Sequence, residues 1–280
     1  MAQLQVNFFS KTLMRQTAFT AVIPVDKFIF APSAADDEKK PFKTLYLLHG
    51  IFGNCTDWLS ATRIQDYAND HNLAVIMPSG DNSFYVDKPE TGNLYGEYIG
   101  RELVEFTRDL FPLSRKREDT FIAGLSMGGF GAIRNGLKYH ETFGYVAGLS
   151  SGFVLDFAIN STNDEPIFFR RRDFYEGVFG DLDKLTESDI NPKHILKTLK
   201  AEQKNIPELY ICCGTEDFLL EANRDFNRFL LENAIEHTYI ESPGDHDWDY
   251  WGEYILKVIK WLPLGEEAKG VSSGNVTTKN

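Results

Sequence analysis

Thr120-Phe121-Ile122-Ala123-Gly124-Leu125-Ser126-Met127-Gly128-Gly129 joins a short apolar, β-leaning run to Phe130–Leu137, which reads as a helix. A serine at the turn between strand and helix, spaced G-x-S-x-G, is a nucleophile elbow. The turn holds Ser126 in a strained conformation with its hydroxyl exposed. Gly124 and Gly128 flank it where a Cβ would strike the neighbouring strand or helix. The plainer reading is a glycine-rich turn with Ser126 as a helix N-cap. What separates the two is whether a base and an acid stand elsewhere in the chain at suitable places.

Working outward, strands and helices alternate on both sides of the elbow. Leu4 to Pro24 reads as an antiparallel hairpin, and Pro32 to Pro41 as a polar loop. Phe42 to Leu48 is a strand that runs into His49-Gly50-Ile51-Phe52-Gly53. Further strands are expected at Leu73 to Met77, Tyr145 to Leu149, Leu209 to Cys213 and His237 to Glu241. Helices are expected at Asp57 to Asn69, Tyr95 to Phe111, Phe218 to Asn233 and Trp248 to Leu262. This alternation implies a mainly parallel sheet with helices on both faces. Residues 1–264 are read as one α/β domain. Ser150 to Ile206 breaks the alternation with many aromatics, and reads as an insertion capping the C-terminal edge of the sheet, where α/β ligands bind. A single crossover helix with long loops is the alternative. From Gly265 to Asn280 periodicity is lost, as in a disordered tail.

A serine hydroxyl needs a base within hydrogen-bond reach and a third group to orient that base. The chain order Ser, Asp/Glu, His is met at strand ends. Gly214-Thr215-Glu216-Asp217-Phe218 follows one strand, and Ser242-Pro243-Gly244-Asp245-His246-Asp247-Trp248 follows the last. Of the 6 histidines, His246 alone lies both downstream of the elbow and in a strand-end loop. Asp217 is preferred to Glu216 as the acid, and Asp245 and Asp247 are read as loop-shaping. The oxyanion needs backbone N–H donors. Met127 supplies one and the His49–Gly53 loop the other, with Ile51 chosen and Phe52 second. His49 is read as a brace for that loop. Phe52, Tyr85, Trp248 and Trp251 are candidate walls of the substrate pocket, with core packing the favoured reading of Trp251.

These motifs together resemble the esterase D-like branch of the α/β hydrolases, most closely the tributyrin esterase type. The resemblance is carried by Leu47-Leu48-His49-Gly50-Ile51-Phe52-Gly53-Asn54, Trp58, Ser79 to Asp87, Phe121 to Gly129, Gly214 to Leu219, and His246-Asp247-Trp248-Asp249-Tyr250-Trp251. It spans residues 1 to about 264. It implies an α/β-hydrolase fold and a cofactor-free serine carboxylesterase acting on short acyl or aryl esters, with Ser126, Asp217 and His246 as the triad. The same superfamily holds feruloyl and acetyl-xylan esterases, which act on plant polysaccharide esters. It also holds S-formylglutathione hydrolases and mycolyltransferases. The stretch Gly80-Asp81-Asn82-Ser83-Phe84-Tyr85 departs from the S-formylglutathione hydrolase pattern. A binding protein on a hydrolase scaffold would be expected to lack a triad member, and none is missing here.

Composition narrows the partners. A net charge of −12 over 280 residues argues against a nucleic-acid backbone or an anionic membrane. Arg170-Arg171-Arg172 is read as a solvated rim rather than a phosphate site. No His/Asp/Cys cluster has metal-ligand spacing. No run reaches the length of a membrane span, and Met1 to Thr20 lacks the apolar core of a signal peptide. The 3 cysteines, Cys55, Cys212 and Cys213, suit a reducing compartment. The expected location is therefore cytoplasmic and the expected partner a small-molecule or oligosaccharide ester, with homo-oligomerisation left open.

Overall fold

The computed structural model describes residues 1–26 and 40–265. The expected tail beyond residue 265 and most of the expected Pro32 to Pro41 loop lie outside the described residues. Eight strands form one sheet. They are β1 (Ala2–Ser10), β2 (Arg15–Ile23), β3 (Lys43–Leu48), β4 (Leu73–Pro78), β5 (Thr120–Leu125), β6 (Tyr145–Leu149), β7 (Glu208–Gly214) and β8 (Thr238–Ser242). Their spatial order is β1-β2-β4-β3-β5-β6-β7-β8. All neighbours pair in parallel except β1 with β2 and β2 with β4. This is the architecture of the α/β hydrolases.

The central strands read as unbroken apolar runs because both faces are covered. Successive side chains leave the sheet on opposite sides. In β5, Phe121, Ala123 and Leu125 enter one core while Ile122 enters the other. The first core is closed by Ile64–Asp70 and by Trp248–Trp261, through Ile64, Ala68, Tyr254, Ile255 and Val258. The second is closed by residues 95–110, Met127–Lys138, Pro192–Ala201 and Leu220–Glu232.

Two local departures have clear causes. The helix expected over Asp57 to Asn69 is two, Asp57–Ala61 and Ile64–Asp70, because Thr62 is extended (φ −137°). Its hydroxyl donates to Trp58 O and accepts from Ile64 N–H, so it ends one helix and opens the next. Residues 95–110 contain a π-helical turn, Tyr98–Glu102, where Gly100 meets the Tyr139 ring too closely to admit a Cβ.

The Ser150 to Ile206 region holds a crossover helix preceded by shorter elements. Pro192–Ala201 is the crossover helix between parallel β6 and β7. It is N-capped by Asn191, whose Oδ1 accepts from Lys193 N–H at 3.0 Å. Before it come two short helices, Leu155–Asn160 and Arg172–Phe179, and 3₁₀ turns. Within the arginine run, Arg171 pairs with Asp173 and Arg172 with Glu176, so those two charges are spent locally. Among the described residues no helix is long and apolar enough to cross a membrane.

The strand order reverses between β3 and β5, which lie side by side in register, Leu48 opposite Gly124. The loop after β3 and the elbow after β5 are thereby brought together at the C-terminal edge. Such a topological switch point is where α/β sheets bind ligands.

Candidate active site

Ser126 stands between β5 and the helix Met127–Lys138 with φ 54° and ψ −120°, a conformation that L-residues rarely adopt. Its N–H donates to Leu149 O of β6 (2.9 Å), and its own carbonyl accepts from Gly152 N–H (2.8 Å) and Phe130 N–H (3.1 Å). The flanking glycines are required by space. A Cβ on Gly124 would stand 2.3 Å from Gly128 O, and one on Gly128 would stand 2.5 Å from both Leu48 O and His49 O. These neighbours are backbone, so they cannot swing away. Gly128→Ala is therefore expected to destabilise the fold by about 3 kcal/mol, at the upper end for overpacking. Urea unfolding would show this as a lower midpoint with the slope unchanged.

The remaining two loops meet Ser126 from the β7 and β8 ends. His246 Nε2 lies 3.0 Å from Ser126 Oγ, and His246 Nδ1 lies 2.9 Å from Asp217 Oδ2. The other carboxylate oxygen of Asp217 accepts from Leu219 N–H at 2.8 Å. Burial pushes the Asp217 pKa up, but hydrogen bonds from His246 and Ser150 outweigh it and leave the pKa below the ordinary aspartate value. Glu216, the rejected neighbour, has another task. Its Oε2 accepts from Gly244 N–H (2.5 Å), while Gly244 O accepts from Glu216 N–H (3.1 Å). This exchange laces the loop carrying Asp217 to the loop carrying His246. Asp245 accepts from the His246 N–H, and Asp247 N-caps the last helix through Tyr250 N–H.

The loop after β3 is held from below. Gly80 N–H donates to His49 Nε2 (2.9 Å), so the imidazole proton is on Nδ1, which donates to Gly50 O (2.6 Å). Burial lowers the His49 pKa and keeps it neutral. Phe52 adopts φ 68°, and its N–H donates to Asn82 Oδ1 at 2.8 Å. That bond removes Phe52, the second choice, from the set of oxyanion donors. Gly50 presses against the elbow: its Cβ would stand 3.5 Å from Ser126 Cβ. A Cβ at Gly152 would stand 3.4 Å from Met127 N. Ile51 thus follows a glycine that packs on the elbow, and Met127 is the residue directly after the serine.

The expected pocket walls divide. The Phe52 ring is 65 % exposed and meets Phe169 of the insertion edge-on at 5.4 Å. Tyr85 is not a wall. It is fully buried, its hydroxyl donates to His49 O (3.0 Å), and its ring fills the space beside Gly80 and Gly131. A phenol that finds a buried carbonyl is better satisfied there than at a solvated rim. Trp248 is half-buried, edge-on to both Trp58 and Trp251 at 5.2 Å.

Several residues at the site were missed. Phe218 is 65 % exposed with its ring 4.6 Å from the His246 imidazole, and Trp251 meets the same imidazole edge-on at 4.9 Å. Asn82 and Gly152 were missed as well. Phe218 adjoins Asp217 in sequence, a signal that could have found it; Trp251 is a candidate wall in the sequence, but core packing is its favoured reading there; Asn82 and Gly152 carry no signal. A hollow of about 250 Å³ lies beside the elbow helix, lined by Phe130, Phe153 and Phe226 and by Asp156, Lys193 and Asp225, and no triad candidate lines it. Among the described residues no cluster of His, Cys, Asp and Glu could hold a metal ion.

A strained serine at a strand-to-helix turn, at the switch point of this sheet, defines the α/β-hydrolase class. Within it, residues 25–262 match the model of the Esterase family, and the chain belongs to that family. It is a carboxylic ester hydrolase. An acetyl esterase of Caldicellulosiruptor saccharolyticus is 43% identical over 265 residues, 94% of this chain and 98% of the relative. Among solved structures, the fluorophosphonate-binding serine hydrolase F of Staphylococcus aureus superposes with a TM-score of 0.82 at 36% identity, covering 93% of this chain and 98% of that one. An S-formylglutathione hydrolase of Staphylococcus aureus gives 0.79 at 36% identity with the same coverages.

Proposed function

We propose that the chain hydrolyses short-chain acyl esters through an acyl-enzyme on Ser126. One observation carries the reading: an unbroken path of hydrogen-bond distances from Ser126 Oγ through the His246 ring to Asp217 Oδ2. His246 Nε2 takes the Ser126 proton as Oγ attacks the ester carbonyl. The N–H groups of Ile51 and Met127 hold the oxyanion. His246 then gives the proton to the leaving alkoxide, the alcohol departs, and water repeats the sequence on the acyl-enzyme. Asp217 keeps the imidazole in the Nδ1–H tautomer and stabilises the imidazolium.

A short acyl group is supported by the relative named as an acetyl esterase, 43% identical over nearly the full length. The insertion caps this site through Phe169 against Phe52, and the leaving group passes Phe218 beside His246. The three free, buried cysteines suit a reducing, cytoplasmic setting.

A second reading, S-formylglutathione hydrolase, is favoured by the similarity to the staphylococcal structure of that name. An ester panel separates them: p-nitrophenyl acetate to octanoate, methyl ferulate, acetylated xylan and S-formylglutathione. The expected result is the highest kcat/KM on acetyl to butyryl esters, with a steep fall by octanoyl. Fastest turnover of octanoyl esters would refute the short-chain reading, and fastest turnover of S-formylglutathione would establish the second. Labelling by a fluorophosphonate, with Ser126 as the modified residue on peptide mapping, tests the nucleophile itself.

A further inference from the structure

Ser126 is not the only strained serine at this edge of the sheet. Ser150, at the end of the adjacent β6, has φ 46° and is fully buried. Residues held in this region persist where the surroundings over-determine them. At Ser126 the strain presents a hydroxyl to a substrate; at Ser150 no substrate can reach the hydroxyl. Its N–H donates to Cys212 O of β7 at 2.7 Å, which locks the turn to the strand that carries the acid loop. The Ser150 hydroxyl accepts from Trp251 Nε1 at 3.2 Å, and its nearness helps hold the Asp217 pKa down. Trp251 in turn meets the His246 ring edge-on at 4.9 Å.

His246 is therefore gripped on two sides, by the Asp217 carboxylate at Nδ1 and by the Trp251 indole against its face or edge. The second of these grips ends on the Ser150 hydroxyl. One hydroxyl has one proton to give and two lone pairs to offer. Accepting from the indole leaves the proton free for the carboxylate. We propose that Ser150 is a positioning residue, a buried hydroxyl that holds the Trp251 indole and through it fixes the His246 ring toward Ser126. This rests on the triad reading above. It gives Trp251 a role beyond core packing. It also explains why a non-glycine residue is kept at a left-handed position, since glycine would supply the turn but not the hydroxyl.

The test replaces the hydroxyl in the full chain. Ser150→Ala is expected to lower kcat by about 10-fold, the scale of one hydrogen bond, with KM unchanged. The far-downfield proton resonance of the His246–Asp217 hydrogen bond should weaken or move in the same variant. Ser150→Gly relieves the backbone strain and should be at least as stable as the parent, yet equally slow. Should Ser150→Ala fold poorly because the indole N–H is left unpartnered, the double variant Ser150→Ala/Trp251→Phe removes that donor and should fold while remaining slow. Wild-type kcat and an unmoved resonance in any folded variant of the three would overturn the inference. Fluorophosphonate labelling and Ser126→Ala in the same preparation keep the two claims apart. If Ser126→Ala is inactive while Ser150→Ala retains full kcat, only the role of Ser150 fails. If Ser126→Ala is active, the triad reading fails first.

Discussion

Ser126→Ala is expected to lower kcat by about a million-fold on short esters, the loss typical of removing a triad nucleophile. Alanine carries the same Cβ, so the strained turn at φ 54° is neither relieved nor worsened, and the elbow should keep its shape. Its backbone bonds to Leu149, Gly152 and Phe130 involve no side-chain oxygen and should persist. Substrate contacts made by the surrounding aromatics and by the oxyanion donors are untouched, so KM should change little. Some turnover above the uncatalysed rate should persist, roughly 1,000-fold, because preorganised N–H donors act on any attacking water. Active-site titration by a fluorophosphonate should be abolished altogether. A variant that retained appreciable esterase activity after exclusion of contaminating parent enzyme would remove Ser126 from the mechanism.

Asp217→Asn is expected to cost about 10,000-fold in kcat and to give up the part of the stability that the ionised carboxylate contributes. The amide is nearly isosteric with the carboxylate, so the effect is electronic. Asp217 Oδ2 accepts at 2.9 Å from His246 Nδ1, which requires the proton on that nitrogen and leaves Nε2 free to take the serine proton. An asparagine that turns its NH₂ toward the ring stabilises the opposite tautomer, in which Nε2 already carries a proton. Burial raises the Asp217 pKa, but the His246 and Ser150 bonds more than offset it, so the net shift is downward. A depressed pKa means that the stabilisation is present above the unfolded value and lost as pH falls through the folded one. The carboxylate is thus ionised throughout the neutral range, where the reaction needs it. Glu216→Gln should behave differently. Its bond to Gly244 N–H can be kept by the amide oxygen, so a modest change is expected where Asp217→Asn is severe. Parallel pH–kcat profiles of the two variants check both expectations.

Much of the fold was legible because strand and helix patterns are local. Tyr145–Leu149 and the start of the last helix at Trp248 fall where apolar spacing and flanking turn residues put them. The helix broken at Thr62 was not legible, since its side chain can continue a helix or cap one, and the choice depends on Trp58 reaching Leu48 O (2.9 Å). Candidate site residues at strand ends were legible for the same local reason, together with chain order. Tyr85 was misplaced because an aromatic in a loop carries no sign of which way it faces. Phe84 and Tyr85 both take positive φ, at 50° and 56°, and that backbone turns the Tyr85 ring inward.

The sequence by itself determined the alternation of elements, the parallel sheet covered on both faces, and an ordered set of serine, acid and histidine at strand ends. These follow from side-chain periodicity and from glycines at the elbow, information carried within a few residues. Only the tertiary structure decided that Asn82 occupies the Phe52 N–H, that Tyr85 lies inside, and that Ser150 holds the Trp251 indole. Each of these depends on left-handed backbone at non-glycine residues or on atoms far apart in the chain. Such conformations are imposed by the packed surroundings and leave no local mark in the sequence.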